Sequence, residues 1–468
     1  MRNAPATLTR APAMSFTAVH PATGETLSSH PLLPRAEALT RAERAHAAQL
    51  AWRDTSHAHR RECLEILGGL LRERKEEYGR LMTMEMGKPL QQAVAEAEKC
   101  ALAADYYAEH AEAFLAPVPA STDATKSYWT HRPLGVVLGI MPWNFPFWQV
   151  VRFAAPTLAA GNAVLLKHAP SVPGCALALE RLFHEAGFPK DVFQSLFVDT
   201  DTAGALLDDP AVKAVSLTGS VRAGKAVAAR AGAALKKCVL ELGGSDPSLV
   251  LPDADLDAAV SACVYGRLLN AGQSCIAAKR FVVVEGVREA FESKLLAHMR
   301  AATLGDPFEA DTVLGPMARV DLRDALHDQV TRSVEAGATL ALGGEVPEGP
   351  GAWYPATVLT GVKKGMPAYE EELFGPVATV IAARDVADAI RIANDTRFGL
   401  GASVYTRDSA LGERIAAELL DAGSCFVNGI VKSDPRLPFG GVKESGYGRE
   451  LSPLGILEFT NVKTVWVK

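Results

Sequence analysis

The stretch Asn270–Lys279 reads N-A-G-Q-S-C-I-A-A-K and sets Cys275 just beyond a Gly-Gln turn at the end of a helical run. A thiolate attacks carbonyl carbon readily, and a loop position gives it the exposure that role requires. The competing reading is a structural thiol, because free cysteines are among the most buried side chains. Thirty-four residues earlier, Glu241 ends an apolar run in Val239-Leu-Glu241-Leu-Gly-Gly. A carboxylate there is costly unless it is paired or functional. Partial burial would raise its pKa and suit it to take a proton from water near neutral pH. A salt-bridged strand-end glutamate is the alternative. Asn144 lies between Pro142 and Pro146. Its amide could donate to a developing oxyanion, or it could simply cap a helix.

Two further features suggest a dinucleotide. Lys213–Lys225 reads as strand, then Thr218-Gly219-Ser220, then helix with Gly224 one turn in. Small residues there admit a pyrophosphate to the amide donors of a helix N-terminus. The glycines could equally serve an ordinary turn, and no G-x-G-x-x-G fingerprint occurs in the chain. Lys167 ends an apolar strand, where an ammonium could reach ribose hydroxyls or remain solvated.

The elements that must hold these groups follow a regular order. Residues 37–116 have helical periodicity, with Leu64, Leu67 and Leu71 on one face. Short apolar strands at Val136–Ile140, Ala163–Lys167, Phe193–Phe197, Val212–Leu217 and Cys238–Leu242 then alternate with helical stretches. After Gly243–Gly244 a second series begins, with a strand at Ser248–Leu251, a helix over Leu256–Asn270 and a strand at Arg280–Val284. Such order predicts two open parallel α/β sheets, with a ligand in the crevice between them. The β-rich stretches around Tyr128 and at Phe459–Lys468 could pair in an arm reaching a second subunit.

Bulk properties narrow the field. The 468 residues suffice for two or three domains, and a formal charge of −6 gives no reason to expect a nucleic-acid or anionic-membrane partner. Seven widely spaced cysteines without a C-x-x-C pair indicate neither a disulfide scaffold nor a zinc site, so no metal is expected and a reducing cytoplasm suits them. No apolar run approaches the ~20 residues of a membrane helix. Met1–Phe16 lacks an apolar signal core and is read as a disordered leader or an upstream start.

Taken together, the motifs resemble the aldehyde dehydrogenase superfamily from about His20 to the C-terminus. The resemblance rests on P-W-N-F-P at 142–146, Lys167, Gly219-Ser220, E-L-G-G at 241–244, G-Q-S-C at 272–275, E-L-F-G-P at 372–376 and P-F-G-G-V-K-E-S-G-Y-G-R-E at 438–450. It implies that Cys275 attacks the aldehyde to form a thiohemiacetal, while Asn144 and the Cys275 N–H hold the oxyanion. Hydride transfer to a nicotinamide leaves a thioester, which Glu241-activated water hydrolyses. It also implies that Lys167 binds the adenine-side ribose and that Gly219, Ser220 and Gly224 lie by the pyrophosphate. Trp143 and Leu242 would contact cofactor, and Glu372 the nicotinamide ribose, with Phe374 nearby. The implied domains are a dinucleotide-binding domain (17–121 and 138–242), a catalytic domain (243–430), an arm (122–137 and 455–468) forming a homodimer or homotetramer, and a return segment (431–454).

Within the superfamily, Leu166–Pro170, Thr218–Gly224 and Ala234–Pro247 are similar to short bacterial succinate-semialdehyde dehydrogenases. A substrate carboxylate needs a cationic or hydrogen-bonding clamp, for which the resemblance offers Arg152 and Ser433. Semialdehyde enzymes carry a second arginine six residues before the nucleophile; here that position is Leu269. Arg436 is a candidate replacement, and a broader aldehyde range is the alternative. Ala277 precludes a redox disulfide with a near neighbour of Cys275. Pro170 stands where NAD-selective relatives place a glutamate, so no negative charge there excludes NADP⁺; the subgroup resemblance implies NAD⁺, with NADP⁺ as the alternative. Glu241 argues against transfer of the thioester to coenzyme A. Retention of Cys275, Glu241 and Asn144 argues against a non-catalytic protein on the same fold.

Overall fold

The computed structural model describes residues 15–468. Most of the expected leader lies outside these residues, but its last two belong to a strand, Ser15–Val19. Phe16 is buried there and stacks on Phe197 at 4.7 Å.

Four helices follow: Arg35–Trp52, His57–Glu73, Lys75–Met86 and Leu90–Leu115. Their sequence explains their packing. Cys63, Leu64, Leu67 and Leu71 form the buried stripe of the second, whose start is capped by Ser56 accepting from the His59 N–H. The third ends at Gly87 in the left-handed region (φ +81°). Ala93, Ala97, Ala101 and Ala104 give the fourth a narrow buried face. That face lets neighbouring helices approach closely.

The first sheet has six strands in the order Gly446–Tyr447, Lys237–Glu241, Val212–Thr218, Val136–Ile140, Ala163–Lys167 and Phe193–Ser195. All pairs are parallel except that of Gly446–Tyr447 with Lys237–Glu241. The strand order reverses between Val136–Ile140 and Val212–Thr218, so connections leave their carboxyl ends in opposite directions and open a crevice there. The Pro142–Pro146 and Thr218–Ser220 segments emerge at that point.

The second sheet has seven strands in the order Thr339–Leu342, Thr357–Thr360, Val377–Ala383, Ala278–Val284, Asp246–Val250, Gly401–Tyr405 and Ser424–Val427. Only Thr339–Leu342 pairs antiparallel. Gly243 and Gly244 carry the chain between the sheets, and a Cβ on Gly244 would stand 2.6 Å from the Cys275 carbonyl oxygen. The helix read as ending at Asn270 stops at Leu268, because Asn270 and Ala271 take positive φ (58° and 51°).

The arm is a three-stranded antiparallel sheet with Lys126–Pro133 between Val118–Pro119 and Thr460–Val467. Val136 and Val137, assigned to the arm from sequence, instead pair within the six-stranded sheet. Among the described residues no helix is long and apolar enough to cross a membrane.

Candidate active site

The turn bearing Cys275 is strained and clamped from several sides. Asn270, Ala271 and Gly272 all have positive φ. Asparagine and glycine tolerate this, whereas alanine there costs about 1–2 kcal/mol. The Asn270 N–H donates to Gln92 Oε1 (2.8 Å), and its side-chain amide donates to the Asn144 carbonyl (2.7 Å). Gln273 accepts from the Ala318 N–H at 2.9 Å. Arg267 donates to the Gly272 carbonyl at 2.5 Å. Lys279 donates to the carbonyls of Ser274 (2.8 Å) and Cys275 (2.7 Å). These contacts together oppose relaxation of the turn.

Cys275 and Asn144 share a cavity of about 400 Å³ with Pro142, Trp143, Gln149, Thr218, Gly219, Ser220, Leu242, Gly243, Leu322, Glu372 and Phe374. Burial pushes the Cys275 thiol up to about 12, against the opposing pull of Arg152 and Lys279. The resting sulfur is therefore protonated and must lose its proton to attack. Asn144 donates one amide hydrogen to the Gln273 carbonyl (3.1 Å), which fixes its side chain beside the nucleophile turn.

Glu241 stands behind this cavity. Its backbone carbonyl accepts from the Gly219 N–H at 2.9 Å, and the next two residues line the cavity. Its carboxyl group is 2% exposed, and neither oxygen has a hydrogen-bond partner. Burial raises it to about 8; Arg152 pulls it down, and Glu450 pushes it further up. A buried carboxyl group with unused acceptors and a pKa near 8 is equipped to take a proton.

Arg152, expected to contact substrate, is engaged with groups of the protein itself in this structure. It is buried, ion-paired with Glu450, and donates to Thr218 Oγ1 at 3.3 Å. Its guanidinium lies 4.9 Å from the centre of the Phe439 ring. It lines neither the Cys275 cavity nor the second cavity described below. Its charge already has a carboxylate partner, and its field acts on Cys275 and Glu241.

The residues expected to meet a dinucleotide separate into two groups. Trp143, Gly219, Ser220, Leu242, Glu372 and Phe374 line the Cys275 cavity. Trp143 and Phe374 meet edge-on at 5.9 Å. Glu372 accepts from the Gly244 N–H (3.0 Å) and pairs with Lys279 (3.3 Å). Ser220 caps the helix Val221–Ala233, whose first turn carries no acidic side chain. This set suits an anionic dinucleotide, with helix amides for phosphate and aromatic walls for a flat ring. Gly224, Lys167 and Pro170 are absent from the cavity wall. Gly224 serves packing, since a Cβ there would meet the Leu242 side chain at 2.5 Å. Lys167 pairs in register with Ile140, the residue two before Pro142, and so stands at the carboxyl edge of the sheet with Pro170 in the turn beyond.

A second cavity of about 600 Å³ opens on the other face of the 142–149 segment, lined among others by Gln92, Glu96, Lys99, Phe145, Trp148 and Leu269. Residues of that segment thus divide, with Asn144 and Gln149 on one cavity and Phe145 and Trp148 on the other. Ser433 is buried beside the second, where its oxygen accepts from Lys99 Nζ (2.8 Å) and Trp148 Nε1 (3.1 Å). Leu269 contributes an apolar wall. Arg436 is bound to Asp434 through two contacts of 2.8 and 2.7 Å, so its charge is spent locally. Sequence reasoning missed Lys99 and Lys279. Lys279 at the start of an apolar strand was a visible anomaly, whereas nothing local distinguishes Lys99 on an alanine-rich helix.

Known proteins resemble this chain over nearly its whole length. A profile of the aldehyde dehydrogenase family matches residues 9–465. Succinate semialdehyde dehydrogenase [NAD(P)+] Sad of Escherichia coli K12 is 48% identical, the match covering 98% of this chain and 99% of that protein. Succinate-semialdehyde dehydrogenase [NADP(+)] 1 of Mycobacterium tuberculosis H37Rv is also 48% identical, over 97% of this chain and all of that protein. The crystal structure of succinic semialdehyde dehydrogenase from Streptococcus pyogenes in complex with NADP+ superposes with a TM-score of 0.94 at 36% identity, covering 96% of this chain and 99% of that one. Matched by the family profile over residues 9–465 and 48% identical to relatives along nearly their whole length, the chain belongs to the aldehyde dehydrogenase family.

Proposed function

We propose that this protein oxidises a carboxylate-bearing aldehyde, with succinate semialdehyde as the best candidate, to the corresponding acid using NADP⁺ or NAD⁺. The observation that carries the reading is the meeting of Cys275 and Asn144 on one cavity with Glu241 directly behind it. A bound nicotinamide supplies the hydride acceptor. Cys275 gives up its proton to solvent and its sulfur bonds to the aldehyde carbon, the carbonyl π pair moving onto oxygen. Asn144 and the Cys275 N–H stabilise the charge developing on oxygen. After oxidation the acyl group remains on Cys275 as a thioester. Glu241 takes a proton from the water that attacks this thioester, and cleavage of the carbon–sulfur bond releases the acid.

Glu372 and the first turn after Ser220 are assigned to the nicotinamide ribose and the pyrophosphate. Trp143 and Phe374 are assigned to the nicotinamide side, and Lys167 to the adenine-side ribose. Pro170 places no negative charge against a 2′-phosphate. The names of the Mycobacterium and Streptococcus relatives move the expected preference from NAD⁺ toward NADP⁺. A broader aliphatic range is the second reading, favoured by Phe145, Trp148, Leu268 and Leu269 in the second cavity. All seven cysteines are free, which supports a cytoplasmic setting. The arm supports a homodimer or homotetramer.

The test is nicotinamide reduction measured for a panel of aldehydes with each cofactor. Strong reduction with succinate semialdehyde, lost in Cys275→Ala while cofactor binding persists, is the expected result. Normal turnover in Cys275→Ala would end the thioester route.

A further inference from the structure

The second cavity contains a cation whose pairing is incomplete. Lys99 is half-buried in its wall on the helix Leu90–Leu115. The ammonium has three donors. One goes to Ser433 Oγ, and the group stands 4.2 Å from the centre of the Trp148 ring. Among the described residues no carboxylate lies within ion-pair distance of it. The surrounding acids are otherwise occupied: Glu96 pairs with Lys88 and accepts the Phe147 and Trp148 N–H groups, both at 2.9 Å, while Asp434 holds Arg436. Asp311 also lines the cavity and is exposed. Ser433 accepts twice, from Lys99 and from the Trp148 indole, which leaves its own hydroxyl proton to donate.

We infer that Lys99, with Ser433 beside it, binds the carboxylate of the aldehyde substrate and so sets specificity for the reaction proposed above, on which this assignment rests. An ammonium on an aromatic face, anchored by Ser433 Oγ, forms a clamp for one carboxylate. The apolar walls from Phe145 and Leu269 suit the methylene chain between the two ends of the substrate. The segment from Asn144 to Trp148 joins the clamp to the oxyanion donor. The assignment supplies the cation that Leu269 does not provide and that Arg152 and Arg436 have committed to Glu450 and Asp434.

The experiment compares kcat/KM for succinate semialdehyde with that for butanal in wild type, Lys99→Met and Lys99→Arg. Loss of a charge-assisted contact should lower the selectivity ratio in Lys99→Met by about 10- to 100-fold, mainly through KM, with Lys99→Arg retaining most of it. A wild-type preference that survives unchanged in Lys99→Met overturns the assignment. A wild type with no preference for the carboxylated aldehyde overturns the substrate reading itself, and the assignment with it.

The pH dependence gives an independent readout and serves if Lys99→Met does not fold. Burial and then the Arg152 charge lower Lys99 to about 8, opposed by Cys100 and Glu96 on its own helix and by Asp434. The wild-type ratio should therefore fall as pH rises through 8, because the neutral amine no longer attracts a carboxylate, and should stay flat in Lys99→Arg. The same pH course in both proteins also overturns the assignment.

Discussion

At the scale of single residues, the proposed base is held away from its usual ionisation. Glu241 is raised to about 8 mainly by burial, so at pH 7 most of it is protonated and the basic form increases above that. Thioester hydrolysis should speed up as pH rises through about 8. Glu241→Gln should flatten this profile and accumulate acyl-enzyme, detectable by intact mass; an unchanged profile without adduct would remove Glu241 from deacylation. Arg152 and Glu450 are buried against each other. Arg152→Met leaves Glu450 without a counter-charge, at a cost of about 3–5 kcal/mol measurable by denaturant unfolding. In that variant the hydrolysis profile should move to higher pH, because the cation opposing Glu241 protonation is gone. Cys275, Glu241 and Asn144 were legible because their motifs are local. The Lys99–Ser433 contact was not, because it joins residues 334 apart in sequence.

At the scale of elements, the nucleophile turn is the critical piece. Gly272 has φ +72°, and a Cβ there would lie 2.3 Å from the Gly375 carbonyl oxygen. Gly272→Ala should lower stability by about 1–3 kcal/mol and reduce the rate of thiol labelling at Cys275, checked by unfolding and by reaction with iodoacetamide. Labelling at the wild-type rate would mean that the turn tolerates the side chain. The parallel strands could be read from composition because they are buried on both faces and thus almost wholly apolar. The end of the helix at Leu268 could not. Alanine at 271 gives no hint of a left-handed backbone, which contacts distant in sequence impose, such as those from Gln92 and Ala318.

At the scale of the whole molecule, the arm presents Thr460–Val467 as an edge strand, with Val462 at 61% and Trp466 at 50% exposure. An apolar edge of this kind seeks a partner. We expect Val462→Lys combined with Trp466→Lys to reduce the mass seen by light scattering; an unchanged mass would show that this edge carries no subunit contact. Sequence character marked both arm strands, whereas their register and the allocation of Val136 to the large sheet depended on pairing. The last stretch of chain before the arm has another consequence. Ser445 accepts the Gly399 N–H and donates to the Gly243 carbonyl, Gly446 pairs with Glu241, Glu450 holds Arg152, and Ser433 anchors Lys99. A chain lacking these residues would keep the Cys275 turn but lose the contacts to Glu241, Arg152 and Lys99. Removal of these residues should therefore abolish aldehyde-dependent nicotinamide reduction while leaving the Cys275 turn in the chain.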